Sequence, residues 1–250
     1  MISCNVGKNL EHHLLIGFSL SFPEIMAMER SDLNLHQILL ELHKLADKDY
    51  LEGGKRFGIE ARNGIGIRMP SIRLLARSIR KNHALALELW ETEIHEARIL
   101  ASLVDIPKEV SYDQIIFWIE DFYSWDLCDQ VIGNLFVKTE FPLIMAIPLS
   151  ERDEEFVKRA GFVMMAAMAV HRKELNDAGF FPFMDQIERK SDDPRNFVKK
   201  AVNWALRQIG KRNSTLKNAA VETAERILLQ ENPSARWIAR DALRELQKGK

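Results

Sequence analysis

A repeated sequence pattern is the feature that most constrains how this chain can fold. The segments Phe156-Val-Lys-Arg-Ala160 and Phe197-Val-Lys-Lys-Ala201 are near copies 41 residues apart, and Trp237-Ile-Ala-Arg240 follows Phe197 by 40 residues. Two helices in a repeat of about 40 residues are typical of HEAT and armadillo proteins, which stack their repeats to bury a continuous core. We therefore predict an all-α fold, an α-solenoid of HEAT/armadillo-like helical repeats. Its concave groove is expected to be lined by the second helix of each pair.

Apolar residues recur at three- and four-residue steps from residue 32 onward, which predicts consecutive helices without a convincing strand. A first helix from residue 32 is expected to end at Gly53 and Gly54, and the glycine-containing segment from Lys55 to Pro70 is expected to be a loop before the next helix. Later helices are predicted at residues 84–91, 93–104, 112–121, 125–137, 154–171, 180–190, 195–211, 215–230 and 234–247.

Residues 1–30 differ from the rest of the chain. They contain a short apolar run from His13 to Phe22 that is closed by Pro23. This run is too short to span a bilayer, and it lacks the cleavage site of a signal peptide. We predict a leader over residues 1–30, either disordered or not native, followed by a single HEAT-like repeat domain over residues 31–250. A natural start at Met26 or Met28 is an equal alternative, and the sequence leaves this open.

Charge is distributed in blocks, although the formal net charge of the 250 residues is only -1. Basic residues dominate residues 55–81 and residues 195–217, and the second block contains no acidic residue. A stretch rich in acidic residues lies between them, over residues 88–129. The net charge argues against a generally basic nucleic-acid binder, but a local basic surface remains compatible with it.

Cysteine and histidine usage argues against a metal or disulfide framework. The two cysteines, Cys4 and Cys128, form no disulfide or zinc signature, and the seven histidines show no metal-ligand spacing. We therefore expect no metal and no other cofactor, and a reducing, cytoplasmic location.

Trp125 and Asp129 are the first candidate site residues. They are four residues apart, so a helix brings them to the same side, with Ser124 as a candidate N-cap. The predicted buried stripe of that helix consists of Cys128, Val131, Ile132 and Leu135. Trp125 and Asp129 lie on the flank of this stripe, between core and solvent. Asp126, in contrast, has a simpler explanation, because a carboxylate in the first turn complements the helix dipole.

Trp204 and Arg159 also have unusual helical neighbours. Trp204 falls outside the apolar stripe of its helix and lies beside Lys200, Arg207 and Lys211. It either packs against the adjacent repeat or contributes an aromatic ring to a basic nucleic-acid surface. Arg159 lies among apolar residues, so it needs an anionic partner, which is either a protein carboxylate or a phosphate. Gly161 leaves room beside it for a backbone to approach.

Several motifs together resemble one known family. They are Gly66-Ile-Arg-Met-Pro70, His95-Glu-Ala-Arg98, Trp125-Asp-Leu-Cys-Asp129, Lys158-Arg159 and Lys200-Ala-Val-Asn-Trp204-Ala-Leu-Arg207. This set is similar to that of the HEAT-like-repeat DNA glycosylases of the AlkD type, which remove alkylated purines from DNA. The resemblance covers about residues 32–246 and has no counterpart for residues 1–30. It implies Trp125, Asp129 and Trp204 as the catalytic cluster. The residues implied to bind DNA are Arg159, Lys158, Lys200, Arg207, Lys211 and Arg212.

The chemistry of that family suits these residue types. A purine alkylated at N3 or N7 is already cationic, so it can leave without a general acid, and the main demand is to stabilise positive charge on the sugar. The resemblance implies a monomer that acts on duplex DNA containing alkylated bases, with no membrane and no obligatory protein partner. A non-catalytic HEAT-like module that binds nucleic acid or protein through the same groove is the alternative.

Overall fold

The computed structural model describes residues 33–248, so the predictions about residues 1–30 lie outside the described part of the chain. Within that part there are thirteen α-helices, two 3-10 helices and no β-strand, which confirms the predicted all-α class. None of these helices is long and apolar enough to cross a membrane.

The helices follow one another with short connections. In the first half of the described chain they are α1 (Leu35–Lys44), α2 (Lys48–Lys55), α3 (Met69–Ser78), α4 (His83–Glu91), α5 (His95–Val104), α6 (Tyr112–Glu120) and α7 (Trp125–Asn134). After a 3-10 turn at Phe136–Lys138 come α8 (Pro142–Glu151) and α9 (Glu155–His171). After a second 3-10 turn at Asp177–Gly179 come α10 (Phe181–Arg189), α11 (Asn196–Gly210), α12 (Ser214–Leu228) and α13 (Pro233–Gln247).

Alternate helices stack side by side and form one layer, which we call the inner layer. It consists of α3, α5, α7, α9, α11 and α13, each packed against the next, while α4, α8 and α12 pack behind α5, α9 and α13. The near-copy motifs all lie in this layer, in α9, α11 and α13, which confirms that they mark a structural repeat. The 40-residue period holds only there, because α5, α7 and α9 begin at His95, Trp125 and Glu155, 30 residues apart.

The predicted end of the first helix was wrong. Gly53 and Gly54 do not end the first helix, which stops at Lys44; they lie inside α2, whose start is fixed by Asp47 accepting a 2.9 Å hydrogen bond from the Tyr50 amide. A glycine costs a helix only about 1 kcal/mol relative to alanine, so an N-cap and packing can outweigh it.

Helix α8 was not among the helices predicted from the sequence. Pro142 occupies its first turn, where no amide hydrogen bond is lost, and Pro148 lies inside it. Gly161 in α9 explains how α8 packs so closely, because a Cβ at this glycine would lie 2.5 Å from the backbone nitrogen of Ser150. The backbone that approaches Gly161 is therefore that of α8.

The glycine-containing loop before α3 is held on the inner layer by one buried carboxylate. Glu96 of α5 accepts hydrogen bonds from the amides of Ile65 (3.0 Å), Gly66 (2.7 Å) and Ile67 (3.2 Å). Gly66 has a φ of +81°, and a Cβ there would lie 2.1 Å from the carbonyl oxygen of Asp47. Two of the motifs noted above, around Gly66 and around Glu96, thus contact each other and fix the loop.

We expect Gly66→Ala to lower the free energy of unfolding by about 2 kcal/mol or more, because it combines a strained φ with a backbone clash. Gly133→Ala in α7 is the matched control, since nothing lies within 4 Å of the added Cβ, and it should keep or raise stability. Urea unfolding of both variants measures the difference. Equal stability of the two variants would contradict this explanation of Gly66.

Candidate functional site

A cleft of about 530 Å³ opens on the inner layer and brings together the three residues predicted as the catalytic cluster, Trp125, Asp129 and Trp204. We call it the tryptophan cleft. Its aromatic lining consists of Phe57, Trp125, Phe197, Trp204 and Trp237. Its polar lining consists of Asp129, Arg159, Lys200, Asn203, Arg207 and Asp241. Apart from Phe57, which follows α2, these residues come from α7, α9, α11 and α13, as the prediction of a groove lined by second helices requires.

Trp125 lies half-buried at the start of α7, at the boundary position that its spacing predicted. Its indole Nε1 donates a 3.1 Å hydrogen bond to the carbonyl oxygen of Phe57, which fixes the ring against the loop. The four stripe residues Cys128, Val131, Ile132 and Leu135 are fully buried, as expected. The ring of Trp125 therefore has one tethered edge and a surface that faces the cleft.

Asp129 and Arg159 form a two-pronged ion pair between α7 and α9. Arg159 Nε donates to Asp129 Oδ1 at 3.0 Å, and Nη2 donates to Oδ2 at 2.8 Å. Nη1 of Arg159 donates to the carbonyl oxygen of Phe197 at 2.5 Å, which adds α11 to the contact. The anionic partner that Arg159 required is thus a protein carboxylate, and it is the predicted reactive one.

Each member of this pair shifts the pKa of the other toward the charged form. Burial raises the pKa of Asp129, and the adjacent guanidinium of Arg159 opposes that rise. Burial tends to lower the pKa of Arg159, but the charge of Asp129 outweighs it, so the pKa of Arg159 lies above its usual value. The Asp129 side chain is 20% exposed and that of Arg159 only 6%, so the carboxylate is the member that faces the cleft.

Trp204 is half-buried and packs against the hydrophobic core, as the first interpretation predicted. It also lines the cleft together with Trp125, and its contribution to a nucleic-acid surface stays a prediction. Lys200, one turn earlier on α11, is exposed and forms no ion pair with any residue in the range 33–248. An indole and a lysine therefore meet at the cleft, as the wheel of this helix predicted.

Two other cations implied to bind DNA, Arg207 and Lys211, form ion pairs within the protein. Arg207 is paired with Glu245 and lies 3.6 Å from Asp241, and Lys211 is also paired with Glu245. These two acidic residues belong to α13, outside the basic block of residues 195–217. The block therefore carries less net positive charge than its own sequence indicates.

Lys158 and Arg212 do not line the cleft. Lys158 is buried, with its ammonium 3.6 Å from Asp193. Arg212 donates hydrogen bonds of 3.0 Å to the carbonyl oxygen of Ala169 and 2.7 Å to that of Leu175, close to the end of α9. Both side chains contact neighbouring repeats within the protein.

The carboxylate of Asp126 is held by neighbouring side chains of the protein. Its carboxylate lies 2.9 Å from Nε2 of His95 and accepts a hydrogen bond from the Ser124 hydroxyl, while Nδ1 of His95 lies 3.0 Å from the hydroxyl of Tyr123. Burial raises the pKa of Asp126, but His95 and Ser124 outweigh burial, so its pKa lies below the usual value. Ser124 does occupy the N-cap position, but its side chain bonds to Asp126 and not to a backbone amide.

With the geometry established, comparison with known proteins identifies the family. A family model described as "DNA alkylation repair enzyme" matches residues 38–246. The chain belongs to this family. Comparison with curated protein sequences gives no significant match.

One solved structure supports the fold assignment for this member of the DNA alkylation repair family. It is described as "A new family of proteins related to the HEAT-like repeat DNA glycosylases with affinity for branched DNA structures". The two structures superpose with a TM-score of 0.73 over 87% of this chain and 95% of the other, at 18% sequence identity. At this identity the likeness establishes the HEAT-like repeat fold.

Five cleft residues were not predicted as site residues: Phe57, Phe197, Asn203, Trp237 and Asp241. Phe197 and Trp237 open the repeated motif, so the repeat itself carried a signal for them. Phe57 lies in the loop after α2, where no periodicity indicates orientation. Asp241 faces the cleft only because α13 packs on α11, which is a tertiary contact.

The other reactive side chains form no second candidate site within the described residues. Cys128 is fully buried, and burial raises the pKa of its thiol, so it behaves as a core residue. Within residues 33–248 no group of three or more histidine, cysteine or acidic side chains is placed to hold a metal ion.

We expect Asp129→Asn to lower the free energy of unfolding by about 2–3 kcal/mol, because it leaves the buried Arg159 guanidinium without its anion. Glu52→Gln is the matched control, since the Glu52–Lys55 pair is 66% exposed on both sides, and it should change stability by less than about 0.5 kcal/mol.

A double-mutant cycle that combines Asp129→Asn with Arg159→Gln measures the interaction free energy between these two side chains. The double variant should lose less stability than the two single variants together. Strict additivity in chemical denaturation would mean that the two side chains do not interact.

Proposed function

We propose that this protein is a DNA glycosylase that hydrolyses the N-glycosidic bond of cationic N3- or N7-alkylated purines in duplex DNA. The observation that supports this most is the assembly of Trp125, Asp129 and Trp204 around one open cleft, although Trp204 comes from α11 and the other two residues come from α7. Membership of the DNA alkylation repair family supports the same substrate class.

Asp129 is the proposed reactive group. As the bond to a cationic purine breaks, positive charge develops on the deoxyribose, and a carboxylate held nearby stabilises it. The same carboxylate can orient a water molecule toward C1′. Arg159 acts as a positioning residue, because its two hydrogen bonds set the plane of the carboxylate and keep it ionised.

The two indoles would contact the cationic base and the sugar. The face of an indole attracts a cation with about 0.5–2 kcal/mol, depending on solvent exclusion. The hydrogen bond from Trp125 to Phe57 sets the orientation of one ring before DNA arrives. Because the cleft is open, it places no closed wall around the base, so bulky adducts would be accepted.

A second function, binding of DNA structures without base release, is favoured by one observation. Both carboxylate oxygens of Asp129 accept hydrogen bonds from Arg159, which weakens the carboxylate as a partner for a developing cation. The structural neighbour described above has affinity for branched DNA. In this alternative the ion pair is structural, and the tryptophan cleft binds only exposed bases or sugar.

Release of 7-methylguanine or 3-methyladenine from alkylated duplex DNA distinguishes the two functions. We expect wild-type protein to release these bases and Asp129→Asn to reduce the single-turnover rate by about 100-fold or more, with DNA binding retained. Asp113→Asn is the matched control, an exposed aspartate at the start of α6, and should release bases normally. No release by wild-type protein at micromolar concentration, with DNA bound, would leave the binding function.

The rate of base release should also depend on the protonation of Asp129. Only the carboxylate form stabilises the sugar cation, so release should fall as the pH drops through the pKa of Asp129. Because burial raises this pKa, the acid limb should lie above the value of about 3.9 for an exposed aspartate. Single-turnover rates between pH 4 and 8, corrected for spontaneous depurination, measure it; a flat profile would remove Asp129 from this role.

A further inference from the structure

We infer that the exposed face of α13 binds the phosphate backbone of a DNA strand as the strand leaves the tryptophan cleft. This rests on the proposed function in one respect, that the cleft binds DNA. None of the motifs that carry the family resemblance lies in α13. The inference therefore depends on where the structure places charge.

Three arginines form a row on this helix. Arg236, Arg240 and Arg244 follow each other at four-residue steps, about 6 Å apart along the helix axis, and all three are exposed. Within residues 33–248, neither Arg236 nor Arg240 forms an ion pair. Arg244 is paired with Asp241, but its side chain remains 66% exposed. We call these three residues the arginine row.

The arginine row differs in this respect from Arg207 and Lys211 of α11. Arg207 and Lys211 share Glu245, so a phosphate that binds them must compete with a carboxylate. Binding at Arg236 and Arg240 displaces only water and counterions, and counterion release is the main source of affinity for a polyanion. Together with Lys200, Arg236 and Arg240 therefore supply positive charge beside the cleft that no ion pair occupies within residues 33–248.

Trp237 connects the arginine row to the tryptophan cleft. It is 40% exposed, and it lines both the cleft and a neighbouring concavity of about 530 Å³ formed by α13 alone. Nζ of Lys199 lies 5.0 Å from the centre of its ring, which places a further cation at the junction. A strand held at Trp204 can thus continue across Trp237 onto Arg240 and Arg236.

The chemistry of this surface favours a nucleic-acid strand over an acidic peptide. Repeated guanidinium groups at one-turn spacing suit the evenly spaced phosphates of a strand, and the indole between them offers a flat surface to sugar or base. Guanidinium contacts of this kind position a strand without reading its sequence.

The test is the salt dependence of DNA binding by the variant Arg236→Gln with Arg240→Gln. Both side chains are exposed, so the fold should be retained, which circular dichroism and thermal unfolding verify. On an unmodified duplex, the slope of log K against log salt should become shallower by about 1.8, as expected for two lost phosphate contacts. At 0.1 M salt the affinity should fall on the order of tenfold or more.

The matched control is Lys108→Gln with Lys173→Gln, which removes two charges from exposed positions outside the tryptophan cleft. Its slope should equal that of the wild-type protein. An unchanged slope in the arginine variant would overturn the inference and leave the row for a different partner. An equal change in both variants would also overturn it, because the effect would then reflect net charge.

Because the binding test uses unmodified DNA, its result does not depend on whether the protein releases alkylated bases. If wild-type protein releases no base but the arginine variant binds with a shallower slope, the glycosylase proposal fails and the inference about α13 stands. If bases are released normally and the slope does not change, only the inference fails.

Discussion

The ion pair between Asp129 and Arg159 is the contact on which the arrangement of the cleft depends. It joins α7 to α9 through two hydrogen bonds, and the third bond from Arg159, to the carbonyl oxygen of Phe197, adds α11. Stacked helices alone can slide along their apolar contacts. A planar guanidinium, in contrast, donates its hydrogen bonds in fixed directions. The register of three consecutive inner helices, and with it the distance between Trp125 and Trp204, is therefore set by directional bonds.

The same contact shows how the fold tolerates a buried charge. An arginine among apolar neighbours is tolerated only with a bound anion, and here the anion is the carboxylate that faces the cleft. Stabilising the fold and holding Asp129 ionised are one interaction. A protein that used Arg159 only to bind phosphate would leave Asp129 without this support.

The distribution of positive charge is decided by contacts between repeats. The basic block of residues 195–217 contains no acidic residue, yet Glu245 of α13 neutralises two of its cations. Arginines on α13 itself face outward and remain exposed. Charge counted along the chain thus overstates the net positive charge of this region, because the acidic residues that pair with Arg207 and Lys211 lie in α13.

Much of the fold could be predicted because helical periodicity and internal repetition are local properties. The boundary position of Trp125 and Asp129 followed from helical spacing, and the buried stripe of α7 was predicted residue by residue. The start of α2 after its N-cap Asp47 and the presence of α8 were not predicted. An N-cap and close packing at Gly161 outweighed the glycine and proline residues in these segments.

What the sequence by itself determined is the all-α repeat architecture and the side of each helix on which Trp125, Asp129 and Trp204 lie, because a helix converts spacing into orientation. Only the tertiary structure decided which charges meet. Asp129 and Arg159, Glu245 and Lys211, and Glu96 and the amides around Gly66 are all 29 or more residues apart in the chain. The physical reason is that a charge is neutralised by whatever lies within a few ångströms of it, and in a solenoid those neighbours come from the adjacent repeats.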